Sequence, residues 1–340
     1  LYLCEGNEPG DSLQSLFLVV RRGGERMIYI KYILKRILMM IPILIIVSLI
    51  IFMVIRASGV NPISVIGGDK SVTEEVKAEL TSQYHLDKPL IEQYYYWIDG
   101  IFKGNLGLDY INRQSVSSLI ASRIPITLGL VLLGMLIAVV VAFPLGILAA
   151  LKKNTWVDQL ISIFVLILSS TPNFLASIIM LVVISKFFAN YQFIGTYSNA
   201  TEFFQRLSVP AIALSLSPIA LLTRVTRSSM IDQFKSNYIT TAKSKGLSKS
   251  TIILKHGLKN GILPVLTIGA MMIGTTIAGA VLVESIFSLP GIGGLLITGI
   301  KTYNYPVVQT LLLILLVIFL VISTIVDVLY TLIDPRVKLQ

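Results

Sequence analysis

The sequence predicts an all-α membrane protein with six transmembrane helices. Three observations predict it: 54% of the 340 residues are apolar and only 14% are charged, the mean hydropathy is +0.81, and six stretches meet a bilayer's demand for about 20 apolar residues per helix. A soluble chain of this length needs far more polar surface to cover itself, which excludes water as the main solvent. Inside lipid the backbone finds no water, so each long apolar run must satisfy its own amides as a helix.

Residues 1–26 stand apart. They mix Glu5, Glu8, Asp11, Arg21 and Arg22 without helical periodicity, and the apolar run 15–20 is too short to span. Met27 is the first methionine, and RRGGER before it is what a purine-rich ribosome-binding site would encode. The expectation is an upstream-frame or non-native extension, with the biological chain starting at Met27. The first transmembrane helix then occupies 27–56, uncharged between Arg36 and Arg56.

Residues 57–123 form a long loop. TEEVKAEL from Thr73 has an acidic first turn that favours a helix. The stretch 90–102, with Tyr94, Tyr95, Tyr96 and Trp97, reads as an amphipathic helix, either lying at the headgroups or packed on the bundle as a cap. The core, 124–332, supplies five more spans at 124–151, 160–184, 209–222, 263–283 and 307–332. The span at 209–222 is the shortest and carries Pro210 and Pro218. Prolines 42, 144 and 172 could mark breaks, though kinks in a packed bundle are the commoner outcome. Residues 333–340 are a tail in which Asp334, Pro335 and Arg336 stop the last helix.

Charge sets the orientation. With the N-terminus inside, the inner segments after Met27 hold fifteen basic residues against Asp158, Asp232, Asp327 and Asp334, whereas 57–123 carries six basic against eight acidic ones. The positive-inside rule therefore places both termini in the cytoplasm, which an even number of spans permits. The net charge of +10 is explained in this way, without nucleic acid. Cys4 is the single cysteine and His85 and His256 are the two histidines, so neither a disulfide framework nor a metal site is expected.

The inner loop 224–263 carries the functional signal. It reads as two helices around a corner, the first near 236–245 and ended by Gly246 in a left-handed conformation. Ser248 is placed to cap the second, which runs through Ile252, Ile253, Leu254 and Leu258. Ala242 is small enough to let another protein's groove approach the first helix, with Lys243, Lys245 and Lys249 at a solvated rim. At Thr240, Thr241, Ala242, Gly246, Leu263 and Pro264 the chain resembles the permeases of binding-protein-dependent ABC importers, whose cytoplasmic signature is Glu-Ala-Ala, three residues, Gly, and a later Leu-Pro. Thr at the first two positions and a longer Gly-to-Pro interval resemble the dipeptide, oligopeptide and nickel branch. GNLGLDY from Gly104, RIPITLGL from Arg123, FPLGILAALKK from Phe143, VESIFSLPGIGGLL from Val283 and DVLYTLIDPRVKL from Asp327 are similar to its B-type subunit.

The resemblance implies a type I importer permease bundle, like that of methionine importers, without catalytic residues of its own. It also implies a second homologous permease, two cytoplasmic ATPase subunits that bind ATP and Mg, and an extracellular substrate-binding protein, in a bacterial cell membrane. The implied cargo is di- or oligopeptides; nickel chelates or another small solute are the alternative. Tyr238, Thr240, Thr241, Ala242, Gly246 and Leu247 become the expected ATPase contact. Glu284, at the outer end of the fifth span, is a candidate for the pathway or the partner permease, or simply a solvated helix-end carboxylate. The chain contains no GxxxxGK[ST] phosphate loop. An ion-coupled secondary transporter would also be helical and positive inside, but the span centres here are nearly free of charge. An intramembrane enzyme would need a nucleophile with a base, or a metal cluster, and neither pattern is present.

Overall fold

The computed structural model describes the backbone of residues 10–60, 85–188 and 199–333, with residues 63, 65, 75, 78, 81, 82 and 191 between them. Side chains are described within those ranges from residue 34 to residue 328, residue 327 excepted. Most of the expected TEEVKAEL helix, the side chain of Asp327, and Asp334, Pro335 and Arg336 lie outside the described residues.

Helix α1 (Gly10–Ala57) begins ahead of its expected start. No proline interrupts its hydrogen-bond ladder before Pro42, and Pro42 itself is carried inside the helix. The span 34–57 exposes Leu38, Ile45, Ile46 and Val54, as a helix facing lipid does. α2 (Leu90–Phe102) falls where the aromatic run places it. Tyr94 Oη lies 2.8 Å from Ser48 Oγ, and Phe52 meets the rings of Tyr94 and Trp97 at 5.5 and 6.0 Å. These contacts make α2 a cap packed on the first span.

α3 (Val116–Leu151) and α6 (Ala200–Phe234) are the long central pair, and α6 is the most buried of the spans. The fourth span was expected over 209–222 only. It is 35 residues long because Pro210 and Pro218 are both accommodated inside it, and its last turns take in Arg224 and Arg227. Those two arginines therefore belong to a helix end and not to a loop.

The third span departs from expectation. It is two helices, α4 (Trp156–Ser170) and α5 (Asn173–Phe187), bent by 98°. Pro172 causes the bend: a proline disfavours helical backbone at the residue before it, and Thr171 is extended at ψ 113°. Each half, at about 1.5 Å per residue, is shorter than the hydrocarbon layer. The pair still links the two faces of the bundle. Asp158 at the start of α4 bonds Arg227 at one end of α6, while Tyr191, beyond α5, bonds Ser208 in the opposite half of α6 at 2.9 Å. Counted as one crossing, it brings the spans to six.

After α6 come α7 (Asn237–Ser244), the long helix α8 (Lys249–Ile286), the short α9 (Ile292–Lys301) and α10 (Tyr305–Ile333). α8 joins the second loop helix and the fifth span, expected as separate pieces, into one continuous element. Their junction, Ile252–Gly257, is wound as a π-helix, with the Leu258 N–H donating to Ile253 O. Three core clusters hold the bundle: one between α3, α6 and α8, one toward α4, and one where the start of α3 meets α9 and α10.

Candidate functional site: the corner between α7 and α8

The expected corner is present, and its chemistry is local. α7 closes through two bonds, Gly246 N–H to Lys243 O at 3.0 Å and Leu247 N–H to Ala242 O at 3.3 Å. This is a Schellman stop, which requires a left-handed residue between its two donors. Gly246 supplies it at φ +74°. Ser248 Oγ then accepts from Thr251 N–H and caps the start of α8.

Ala242 is not where a docking surface would need it. It is buried, together with Ile239 and Ile252, in a small cluster that folds α7 back on the π-helical turn. The i, i+3 spacing of Ile239 and Ala242 makes one inward stripe, and its small size serves that internal approach. The outward face carries Tyr238, Thr240, Thr241 and Lys243, with Gly246 and Leu247 exposed at the turn. Of the six sequence-expected contact residues, five thus share one exposed corner and Ala242 supports them from below. Beside the corner, Ala150, Leu151, Phe234, Leu247 and Ile253 form an apolar cleft of about 470 Å³ rimmed by Lys243 and Lys249.

The corner is fastened to the bundle. Tyr238 Oη donates to Gln233 Oε1 at 2.7 Å and reaches His256 O at 3.4 Å, tying α7 to both neighbouring helices. Ser229 Oγ donates to Gly261 O at 2.8 Å, which joins the end of α6 to the start of α8. Arg227 grips Asp158 with a fork, Nε to Oδ1 and Nη2 to Oδ2, both at 2.7 Å, and Asn154 N–H adds a bond to Oδ2 at 2.9 Å. Arg224 Nη2 donates to Ser169 Oγ at 2.5 Å further along α4. The Asp158–Arg227 pair was not legible beforehand, because 69 residues separate its partners.

Asp158 is buried, so Arg227→Leu will leave a carboxylate without its counter-charge and cost about 3 kcal/mol. Thermal unfolding of the purified chain in detergent measures it. The double change Asp158→Leu with Arg227→Leu should recover much of the loss, and equal melting of the single variant and wild type would show the fork to be idle.

Glu284 corrects a second expectation. It is 0% exposed and lies inside the chain, neither solvated nor on a surface that a solute or second subunit could touch. Its carboxylate accepts from Thr127 Oγ1 at 2.6 Å, Gly293 N–H at 2.7 Å and Gly294 N–H at 3.2 Å. Thr127 Oγ1 in turn accepts from Ile292 N–H at 2.9 Å. The first three amides of α9 are therefore satisfied by side chains of α3 and α8, since Gly291 at its N-cap position has none to offer. The glycines are needed for close approach: a Cβ on Gly291 would lie 2.3 Å from the Glu284 carboxyl carbon, and one on Gly293 would lie 2.3 Å from Val281 Cα.

On the same side of the bundle, GNLGLDY docks on the start of α10. Asp109 accepts from Ile111 N–H at 2.8 Å, Asn112 Nδ2 at 2.9 Å and Asn304 Nδ2. Burial pushes the Asp109 carboxyl up, but these three bonds hold it below the usual carboxylate range. Among the described residues no group of three or more His, Cys, Asp and Glu could hold a metal.

The fold is a helical bundle of six crossings when the bent pair is counted as one, with an exposed corner between α7 and α8. Comparison with known proteins makes this specific. Residues 142–339 match the family model described as the binding-protein-dependent transport system inner membrane component, and residues 29–131 match the N-terminal model of such membrane components. The chain belongs to the binding-protein-dependent transport system inner membrane component family. It is 34% identical over 313 residues to the oligopeptide transport system permease protein AppB of Bacillus subtilis, covering 90% of this chain and 99% of that one. It is 32% identical over 309 residues to the glutathione transport system permease protein GsiC of Escherichia coli, covering 91% and 99%. Among solved structures, an inward-facing MetNI methionine ABC transporter chain aligns with a TM-score of 0.54 at 16% identity, covering 64% of this chain and 97% of that one, a likeness of fold. The chain is thus an integral membrane permease subunit of the ABC importer class.

Proposed function

We propose that this chain is one of two homologous permease subunits of an importer that carries di- or oligopeptides into a bacterial cell. Two cytoplasmic ATPase subunits bind ATP and Mg, and an extracellular binding protein delivers the cargo. The observation that carries the mechanism is the exposed corner of Tyr238, Thr240, Thr241, Gly246 and Leu247, tied to α6 and α8 by the bonds of Tyr238 and Ser229. A partner that moves α7 moves both helices with it, so nucleotide-driven closure becomes rigid-body rotation of the bundle and alternates its outward-facing and inward-facing states. The corner faces the cytoplasm, as do both termini, and 57–123 lies outside. The peptide cargo rests on the relatives, whose names record oligopeptide and glutathione transport.

The test is uptake of labelled dialanine into proteoliposomes holding both permeases and both ATPases, with the binding protein outside and ATP inside. Uptake should require ATP and persist after ionophores collapse ion gradients. Transport by this chain alone, or transport that follows the proton gradient, would overturn the reading.

A further inference from the structure

Three polar contacts join the bent pair of α4 and α5 to α6. Ser217, midway along α6 between Ser208 and Arg227, donates to Asn173 Oδ1 just past the bend at 2.9 Å. Arg224 Nη2 donates to Ser169 Oγ at 2.5 Å, and Arg227 meets Asp158 at the inner end. The two arginines stand about one turn apart on α6 yet are treated differently. Arg227 is half-buried and its charge is met by the fork on Asp158. Arg224 is exposed, bonds a serine that is itself exposed, and has no carboxylate within ion-pair distance among the described residues. Its one bond uses Nη2 and leaves Nε and Nη1 without a partner among those residues.

Arg224 is also aimed away from the inner surface. Its acceptor Ser169 lies eleven residues beyond Asp158 on α4, about 16 Å along a helix axis. Leu166, Ile167, Phe174 and Leu175 around that serine are exposed, which sets it at the depth of the hydrocarbon. An arginine near a membrane surface ordinarily turns its head outward to the headgroups, and a guanidinium facing lipid at depth is strongly disfavoured. One that points inward and stays exposed instead faces a water-filled space within the assembled importer. A cation left without a counter-charge there attracts anions, and the planar guanidinium suits a carboxylate. We infer that Arg224, steadied by Ser169, lines the translocation path and receives the carboxylate of the passing peptide, an assignment that rests on the peptide-importer reading. An exposed arginine holds a carboxylate weakly, as a path that must release its cargo requires.

Cys4 is the single cysteine, so a chain with Cys4→Ser and Ser169→Cys carries one thiol beside Arg224. Assembled with the other subunits in lipid nanodiscs, it is reacted with an anionic sulfonatoethyl and a cationic trimethylammonioethyl methanethiosulfonate, and labelling of this chain is read by mass spectrometry. Both reagents should reach the thiol. The anionic-to-cationic rate ratio should fall about tenfold when Arg224→Gln is added. Arg224→Lys should keep most of the ratio, because it keeps the charge; loss of the ratio in that variant would make the effect one of local packing and overturn the inference. Excess dialanine should slow the labelling and its C-terminal amide should not. A thiol that neither reagent reaches faces lipid or the second permease and overturns the inference, as does a ratio that Arg224→Gln leaves unchanged. Protection by dialanine no better than by its amide overturns the carboxylate contact. Uptake by the same assembly separates this from the function beneath it: proton-driven uptake overturns that function, whereas ATP-driven uptake with charge-blind labelling overturns only the role of Arg224.

Discussion

Glu284→Ala will destabilise the bundle by about 3 kcal/mol, an effect at the upper end for one side chain. The carboxylate accepts from Thr127 and from two amides of α9, and deletion leaves these donors in a space that water does not reach. Glu284→Gln keeps the volume but sets an NH2 group against donors, so it should recover only part of the loss. Gly293→Val should be worse than either, since its Cβ meets the Val281 backbone, which cannot rotate away. Unfolding of the purified variants in detergent, followed by circular dichroism, orders the three. A Glu284→Ala chain that melts with the wild type would mean that α9 finds another cap.

The two corrected sites share one physical reason. Glu284 was legible as a charge near a helix end, and VESIFSLPGIGGLL as a motif, but nothing in a linear reading turns α9 back so that its amides point at Glu284. The glycines of that motif were the available signal: two of them sit where any Cβ would strike the partner element. Ala242 was legible as small, yet size does not say which neighbour needs the space, and Ile252 on the next helix claims it.

Features that depend on a few adjacent residues fared better. The left-handed stop at Gly246, the cap at Ser248 and the helix over Leu90–Phe102 follow from local backbone rules and aromatic clustering, and each falls at its expected position. The third span shows the limit of such rules. Hydropathy integrates straight across Pro172, and whether a proline kinks or breaks a span depends on whether the packed neighbours rebuild the backbone path. α1, α3 and α6 carry Pro42, Pro144, Pro210 and Pro218 unbroken. At Pro172 the chain turns, and Asn173 Oδ1 accepts from Ser217 Oγ at 2.9 Å to hold the new direction.

The corner yields the second large effect, and it separates two ways of losing transport. Ala242→Asp forces a carboxylate between the buried apolar side chains of Ile239 and Ile252, and it should unfold the corner outright. Dipeptide uptake and stimulation of the ATPase should both disappear, while the bundle still inserts and new protease cleavage appears near 237–248. Thr241→Trp adds bulk on the exposed face and should abolish the same two activities without new cleavage, because the internal cluster is untouched. Gly246 decides between backbone and contact. Its Cβ position is open, with nothing within 4 Å, so substitution there costs only the left-handed conformation, about 1–2 kcal/mol for a β-branched side chain and much less for asparagine. Gly246→Val should therefore lose uptake. Gly246→Asn should keep it if the glycine serves the turn alone, and should lose it with the corner intact if an ATPase packs directly against the bare Cα. Full uptake in both Ala242→Asp and Thr241→Trp would remove the corner from the mechanism.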